Sequence, residues 1–76
     1  MADVELVRID VGFHGGDVLS VRVPSGDADA LDAALRGRAD AVVVELHAED
    51  GHILIVLAKV SYVKRYAREA RVGFAN

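Results

Sequence analysis

Residues 41–58, AVVVELHAEDGHILIVLA, place an Asp-Gly pair between two apolar runs. This pattern predicts a β-hairpin closed by a two-residue turn at Asp50 and Gly51, a pair that type I′ turns favour. In that register Glu49 faces His52 across the hairpin. Side chains alternate between the two faces of a strand, so one face of the hairpin is expected to form the core. That inner face holds Val42, Val44, Leu46, Ala48, Ile53, Ile55 and Leu57.

The outer face of the same hairpin is polar near the turn and apolar further along. A face that contacts only water does not carry several aliphatic side chains together. One short helix can cover only one side of the hairpin, so we expect a second copy of the chain to cover the other, either there or by edge-to-edge strand pairing. The candidate residues for this homo-oligomer interface are Val43, Leu54, Val56 and Ala58.

A second hairpin is predicted in residues 4–24, where apolar and polar side chains alternate on both sides of two glycines. A two-residue turn at Gly15 and Gly16 would direct the two apolar stripes to opposite faces. A three-residue loop that also includes His14 pairs Val11 with Leu19 and puts both stripes on one face. Glycine suits this loop class because one position near its end is left-handed.

Residues 27–37, DADALDAALRG, have the features of a short helix. Asp27 or Ser25 can cap its N-terminus, and Arg36 followed by Gly37 is typical of a C-terminus. Its apolar stripe is narrow. Such a helix can pack on a sheet, but about ten residues would not stay helical alone in water.

The segment 60–71 fits both a strand and a helix. β-branched residues and Tyr62 favour a fifth strand up to Arg65, with Val60 and Tyr62 on one side and Val63 on the other. Small residues at helical spacing favour a helix instead. The expected fold class is α+β: a small, mainly antiparallel, bent β-sheet in the order ββαββ, with a fifth strand and one short helix on one face.

Length and composition limit the alternatives. The chain has 76 residues, no cysteine and a net charge of −3. This predicts one domain, residues 1–76, without disulfides or thiolate metal sites. The longest apolar run, residues 53–58, is far shorter than the roughly 18 residues of a membrane span. The N-terminus lacks a basic leader segment. We therefore expect a cytoplasmic protein without a membrane partner. A core this small contributes only about 3–5 kcal/mol to the free energy of folding, which favours additional stabilisation by oligomerisation.

Charge is divided unevenly along the chain, with −7 in residues 1–50 and +4 in residues 51–76. Basic residues interleaved with tyrosines can bind phosphates and stack on bases, so RNA or single-stranded DNA is one candidate partner and an acidic protein another. The same residues can instead cover apolar surface and pair with acids of the first half. The candidate nucleic-acid or anion-binding residues are Lys59, Tyr62, Lys64, Arg65, Tyr66, Arg68 and Arg71.

The hairpin tip also carries ligand-type side chains. His52 and Glu49, with His47 on the same face, could hold a divalent cation if a third ligand came from His14 or a neighbouring chain, although solvated turn residues of these types are common. The serines lack the neighbouring base that an activated nucleophile needs, so we expect neither an enzyme nor a cofactor. The sequence therefore predicts a non-enzymatic homo-oligomeric interaction module, with nucleic-acid binding and metal binding as alternatives.

Overall fold

The structure, a computed structural model, describes residues 5–38 and 40–67. The predicted α+β class and strand order are confirmed, and residues 60–65 form a strand. Residues 68–71, at the end of the segment that fits both a strand and a helix, lie outside the described part. The elements are β1 (Leu6–Phe13), β2 (Val18–Pro24), α1 (Ser25–Leu35), β3 (Val43–Ala48), β4 (Gly51–Val56), a 3-10 turn (Leu57–Lys59) and β5 (Val60–Arg65).

All strand pairs are antiparallel, and they form two sheets, β2-β1-β5 and β3-β4. The expected continuous bent sheet is divided at the 3-10 turn, where the chain leaves its pairing with β3 and begins to pair with β1. The amide of His14 donates a 2.9 Å hydrogen bond to the carbonyl of Lys59, which fastens this turn to the β1–β2 loop.

The β1–β2 hairpin has the predicted register, with Val11 opposite Leu19. Its three-residue loop includes Gly15 and Gly16 at φ values of +100° and +101°. Glycine enters this region of backbone conformation without steric strain. The apolar stripes of both strands therefore lie on one face, where Ile9 is fully buried.

Helix α1 begins two residues earlier than predicted, at Ser25, with Pro24 as the N-cap residue. The predicted cap by Asp27 or Ser25 is wrong, because no side chain makes a capping hydrogen bond. Asp27 lies in the first turn, and its carboxylate instead accepts a hydrogen bond from the amide of His47 in β3. Proline suits this position at the end of an edge strand because its fixed φ is compatible with the extended N-cap conformation, φ −56° and ψ 145°, and because it has no amide to satisfy.

The C-terminus of α1 agrees with the prediction. Gly37 has a φ of +78°, and its amide donates to the carbonyl of Ala34. The amide of Arg38 donates to the carbonyl of Ala33 at 2.8 Å. These two bonds form a Schellman motif, which satisfies carbonyls that the helix end would leave free.

The β3–β4 hairpin has a different register from the predicted one. Its turn residues are Glu49 and Asp50, so His47 and not Glu49 lies opposite His52. The residue opposite His52 differs by two positions between the two registers, and side chains alternate between faces with a period of two. Both registers therefore bury the same face, and the apolar pattern could not distinguish them. The prediction that Val42 belongs to the inner face is wrong, because it precedes β3 and is exposed.

Strand β5 carries a bulge opposite the end of β1. Tyr62 pairs with Gly12, whereas Phe13 pairs with Val60, so one extra residue of β5 lies between the two pairs. An extra residue changes the alternation of faces. Val60 therefore packs against the core on the same side as Val63, which corrects the predicted grouping of Val60 with Tyr62.

A single core joins both sheets and the helix. Among the described residues no polar or charged side chain is buried. The helical segments in this part of the chain are also too short or too polar to cross a membrane. The buried core residues are Ile9, Val11, Val23, Ala28, Leu31, Val44, Leu46 and Ile55.

Candidate functional site

The outward side chains of β3 and β4 form one surface, which we call the outer hairpin face. It consists of Val43, Glu45, His47, His52, Leu54 and Val56.

The apolar end of the outer hairpin face contains three of the four predicted interface residues. Val43 lies opposite Val56, and their exposed fractions are 44% and 45%; Leu54 is 64% exposed. Ala58, the fourth, is exposed in the 3-10 turn beyond β4. Since the other side of this hairpin contributes Leu46 and other residues to the core, both faces of the hairpin are apolar over this stretch.

The polar end brings together Glu45, His47 and His52. The Oε2 atom of Glu45 lies 2.6 Å from Nδ1 of His52 and 3.8 Å from Nε2 of His47. The two imidazole rings meet edge to face with their centroids 4.7 Å apart. One ligand atom from each residue lies within 4.8 Å of the others. Glu49, which the sequence placed in this group, is in the turn, and Glu45 takes its place.

Asp27 fixes the orientation of the His47 ring. Its Oδ2 atom accepts hydrogen bonds from the backbone amide of His47 at 2.7 Å and from Nδ1 at 2.9 Å. The hydrogen bond to Asp27 raises the pKa of His47 above its ordinary value; partial burial opposes the rise, and the charges of Asp27 and Glu45 add to it. With Nδ1 donating to a carboxylate, Nε2 is the nitrogen that faces Glu45.

Several of the predicted nucleic-acid-binding residues have partners within the chain. The Tyr66 hydroxyl donates to Oδ2 of Asp10 at 2.7 Å, and Lys64 lies 4.5 Å from the centre of the Tyr66 ring. Arg65 forms a 2.7 Å ion pair with Asp29 of α1. Lys59 and Tyr62 are exposed, whereas Arg68 and Arg71 lie outside the described residues.

Asp10 is the centre of the polar network on the outer face of the β2-β1-β5 sheet. Hydrogen bonds from Ser20 and then Tyr66 hold the pKa of Asp10 below its ordinary value, with smaller contributions from Arg8 and Lys64 and an opposing effect of burial. The same hydrogen bond raises the pKa of Tyr66, because its proton is held by the carboxylate.

Two arginines beside this network were not among the predicted residues. Arg8 and Arg22 lie directly opposite each other on β1 and β2. They line an open groove of about 640 Å³ together with Tyr66. Both come from the acidic half of the sequence, so counting charge along the chain could not find them. The predicted β1–β2 register could have found them, because it pairs Arg8 with Arg22.

Comparison of the chain with protein-family models, with curated proteins and with solved structures finds no match.

Proposed function

We propose that the chain is a non-enzymatic homo-oligomeric interaction module, and that the outer hairpin face is where a second copy binds. The observation that carries this proposal is the exposure of Val43, Leu54 and Val56 on a hairpin whose opposite side already forms the core. Contiguous exposed apolar side chains are candidates for an interaction surface.

The exposed fractions indicate how strong such an association can be. Full burial of a Val or Leu side chain is worth about 1.5–3 kcal/mol, so covering the exposed parts of these three residues on both copies contributes roughly 5–9 kcal/mol. Association costs about 4–15 kcal/mol in lost freedom. The two quantities are similar, so we expect a dimer that dissociates on dilution.

The polar end of the face supports a second copy as the occupant. A two-fold symmetric interface places the same patch against itself. On the outer hairpin face the acid, Glu45, already lies 2.6 Å from a ring nitrogen of His52, so a second copy meets a mixed patch and not a cluster of like charge. Electrostatic complementarity of this kind fixes orientation more than it adds affinity.

The contacts of β5 favour this proposal over nucleic-acid binding. Arg65 is paired with Asp29, and the Tyr66 hydroxyl is bonded to Asp10. Gripping a phosphate or stacking on a base would require these side chains to leave their partners.

Sedimentation equilibrium over a wide concentration range tests the proposal. The mass of the wild type should rise from 8.1 kDa towards twice that value as concentration increases. Val43→Lys places a charge in the face and should stay monomeric at every concentration. Val18→Lys is the matched control, because Val18 is 52% exposed on β2, away from this face.

Two results would contradict the proposal. The first is a wild type that remains monomeric at the highest concentration. The second is an equal loss of association in the Val43 and Val18 variants, because the contact would then not depend on the outer hairpin face.

A further inference from the structure

We propose that Glu45, His47 and His52 form a binding site for a divalent transition-metal ion, with Zn²⁺ as the ion that its ligand set suits. All three ligands belong to one chain, so the site does not depend on dimerisation.

The spacing of the ligand atoms fits such an ion. Zinc–ligand bonds of about 2.0–2.2 Å in a tetrahedral site place neighbouring ligand atoms about 3.3–3.6 Å apart. The Glu45 oxygen lies 2.6 Å from the His52 nitrogen and 3.8 Å from the His47 nitrogen. All three ligand atoms lie within 4.8 Å of one another, and with His47 held by Asp27, rotations of the exposed Glu45 and His52 side chains bring them to the spacing of a bound ion.

Asp27 supplies a second, independent observation. Histidine ligands of zinc usually donate the hydrogen of their other ring nitrogen to a carboxylate or carbonyl, which fixes the tautomer and orients the ring. His47 makes this contact, from Nδ1 to Asp27. In the neutral imidazole, Nε2 then carries the lone pair, on the side where Glu45 and His52 lie. Asp27 belongs to α1 and reaches the cluster from across the fold. It makes no capping hydrogen bond to its own helix.

The donor set determines the class of metal. Two imidazole nitrogens and one carboxylate oxygen suit Zn²⁺ and its transition-metal neighbours, whereas Ca²⁺ and Mg²⁺ require mostly oxygen ligands. Three protein ligands leave a fourth position open for water or an outside ligand. Because the ion must displace protons from the imidazoles, affinity should fall as pH decreases. Within residues 5–38 and 40–67, the charged or titratable groups that face His47 are Asp27 of α1, Glu45 of β3 and His52 of β4.

Calorimetric titration of the untagged full chain with zinc chloride tests the site. The wild type should bind one ion per chain. His52→Ala should weaken binding at least tenfold. Asp27→Asn, which removes the charge that holds His47, should weaken it about 10–100-fold. His14→Ala is the matched control, because His14 is exposed in the β1–β2 loop, and should bind zinc like the wild type.

Three further measurements separate a metal site from an effect on folding or dimerisation. Circular dichroism should show that the variants keep the fold, since His52 and Glu45 are exposed. Co²⁺ in place of zinc should give the intense visible absorption of a four-coordinate ion in the wild type and not in His52→Ala. Val43→Lys should retain zinc binding while monomeric. Absence of binding, an equal loss in the His14 and His52 variants, or loss in the monomeric variant would each overturn the proposal.

Discussion

Replacing Leu46 with alanine should bring the chain close to unfolding, whereas the same replacement at Leu54 should change the stability of the monomer only slightly. The two leucines lie on neighbouring strands of one hairpin and differ in the face to which they belong. Leu46 is fully buried, and Leu54 is 64% exposed.

The burial of each residue gives the expected magnitude. Removing a fully buried leucine side chain costs about 2–5 kcal/mol. A single core of this size supplies about 3–5 kcal/mol, so Leu46→Ala leaves little or no net stability. Only about a third of the Leu54 side chain is covered, which predicts a loss of about 0.5–1 kcal/mol from the monomer.

Urea denaturation followed by far-ultraviolet circular dichroism, at a low and a high protein concentration, measures both effects. Association adds a contribution to stability that depends on concentration. The wild-type midpoint should therefore rise with concentration, and Leu54→Ala should reduce that rise. A Leu46 variant as stable as the wild type, or equal losses for both variants in dilute solution, would refute the assignment of the two faces.

Two other predictions concern pH and backbone conformation. Because Asp27 raises the pKa of His47 above 6.5, protonated His47 stabilises the fold below that pH, and this contribution is lost as pH rises through the folded-state pKa. As pH rises from below 6.5 through the folded-state pKa of His47, the urea midpoint should fall in the wild type and in His14→Gln but not in His47→Gln. Gly37→Ala should lower the free energy of unfolding by about 1 kcal/mol because Gly37 has a positive φ, whereas Gly26→Ala inside α1 should raise it by about 0.5–1 kcal/mol. Thermal denaturation measures both changes. A change of the same sign for both variants would contradict the helix boundaries.

Features that depend on which face is apolar could be predicted from the sequence. The β1–β2 loop is the clearest case, because the alternative turn at Gly15 and Gly16 would have separated the two apolar stripes. The two faces of the β3–β4 hairpin follow from the same alternation. The exposure of Val43, Leu54 and Val56 therefore follows from the alternation in the sequence.

Features that depend on register or on distant contacts could not be predicted in this way. Two registers of the β3–β4 hairpin bury the same residues, so the sequence placed Glu49 beside His52 where the structure places His47 opposite it. The role of Glu45 in the cluster follows only from the observed register. Asp27 has the sequence context of a helix cap, but its partner is 20 residues away in β3.

Amide NMR spectra of the wild type along a dilution series test the central claim most directly, namely that a second copy covers the outer hairpin face. The account predicts concentration-dependent shifts for Val43, Leu54 and Val56, with Val18 unchanged. Spectra in which these three amides stay constant, or in which only Val18 and other residues away from the face shift, would contradict it.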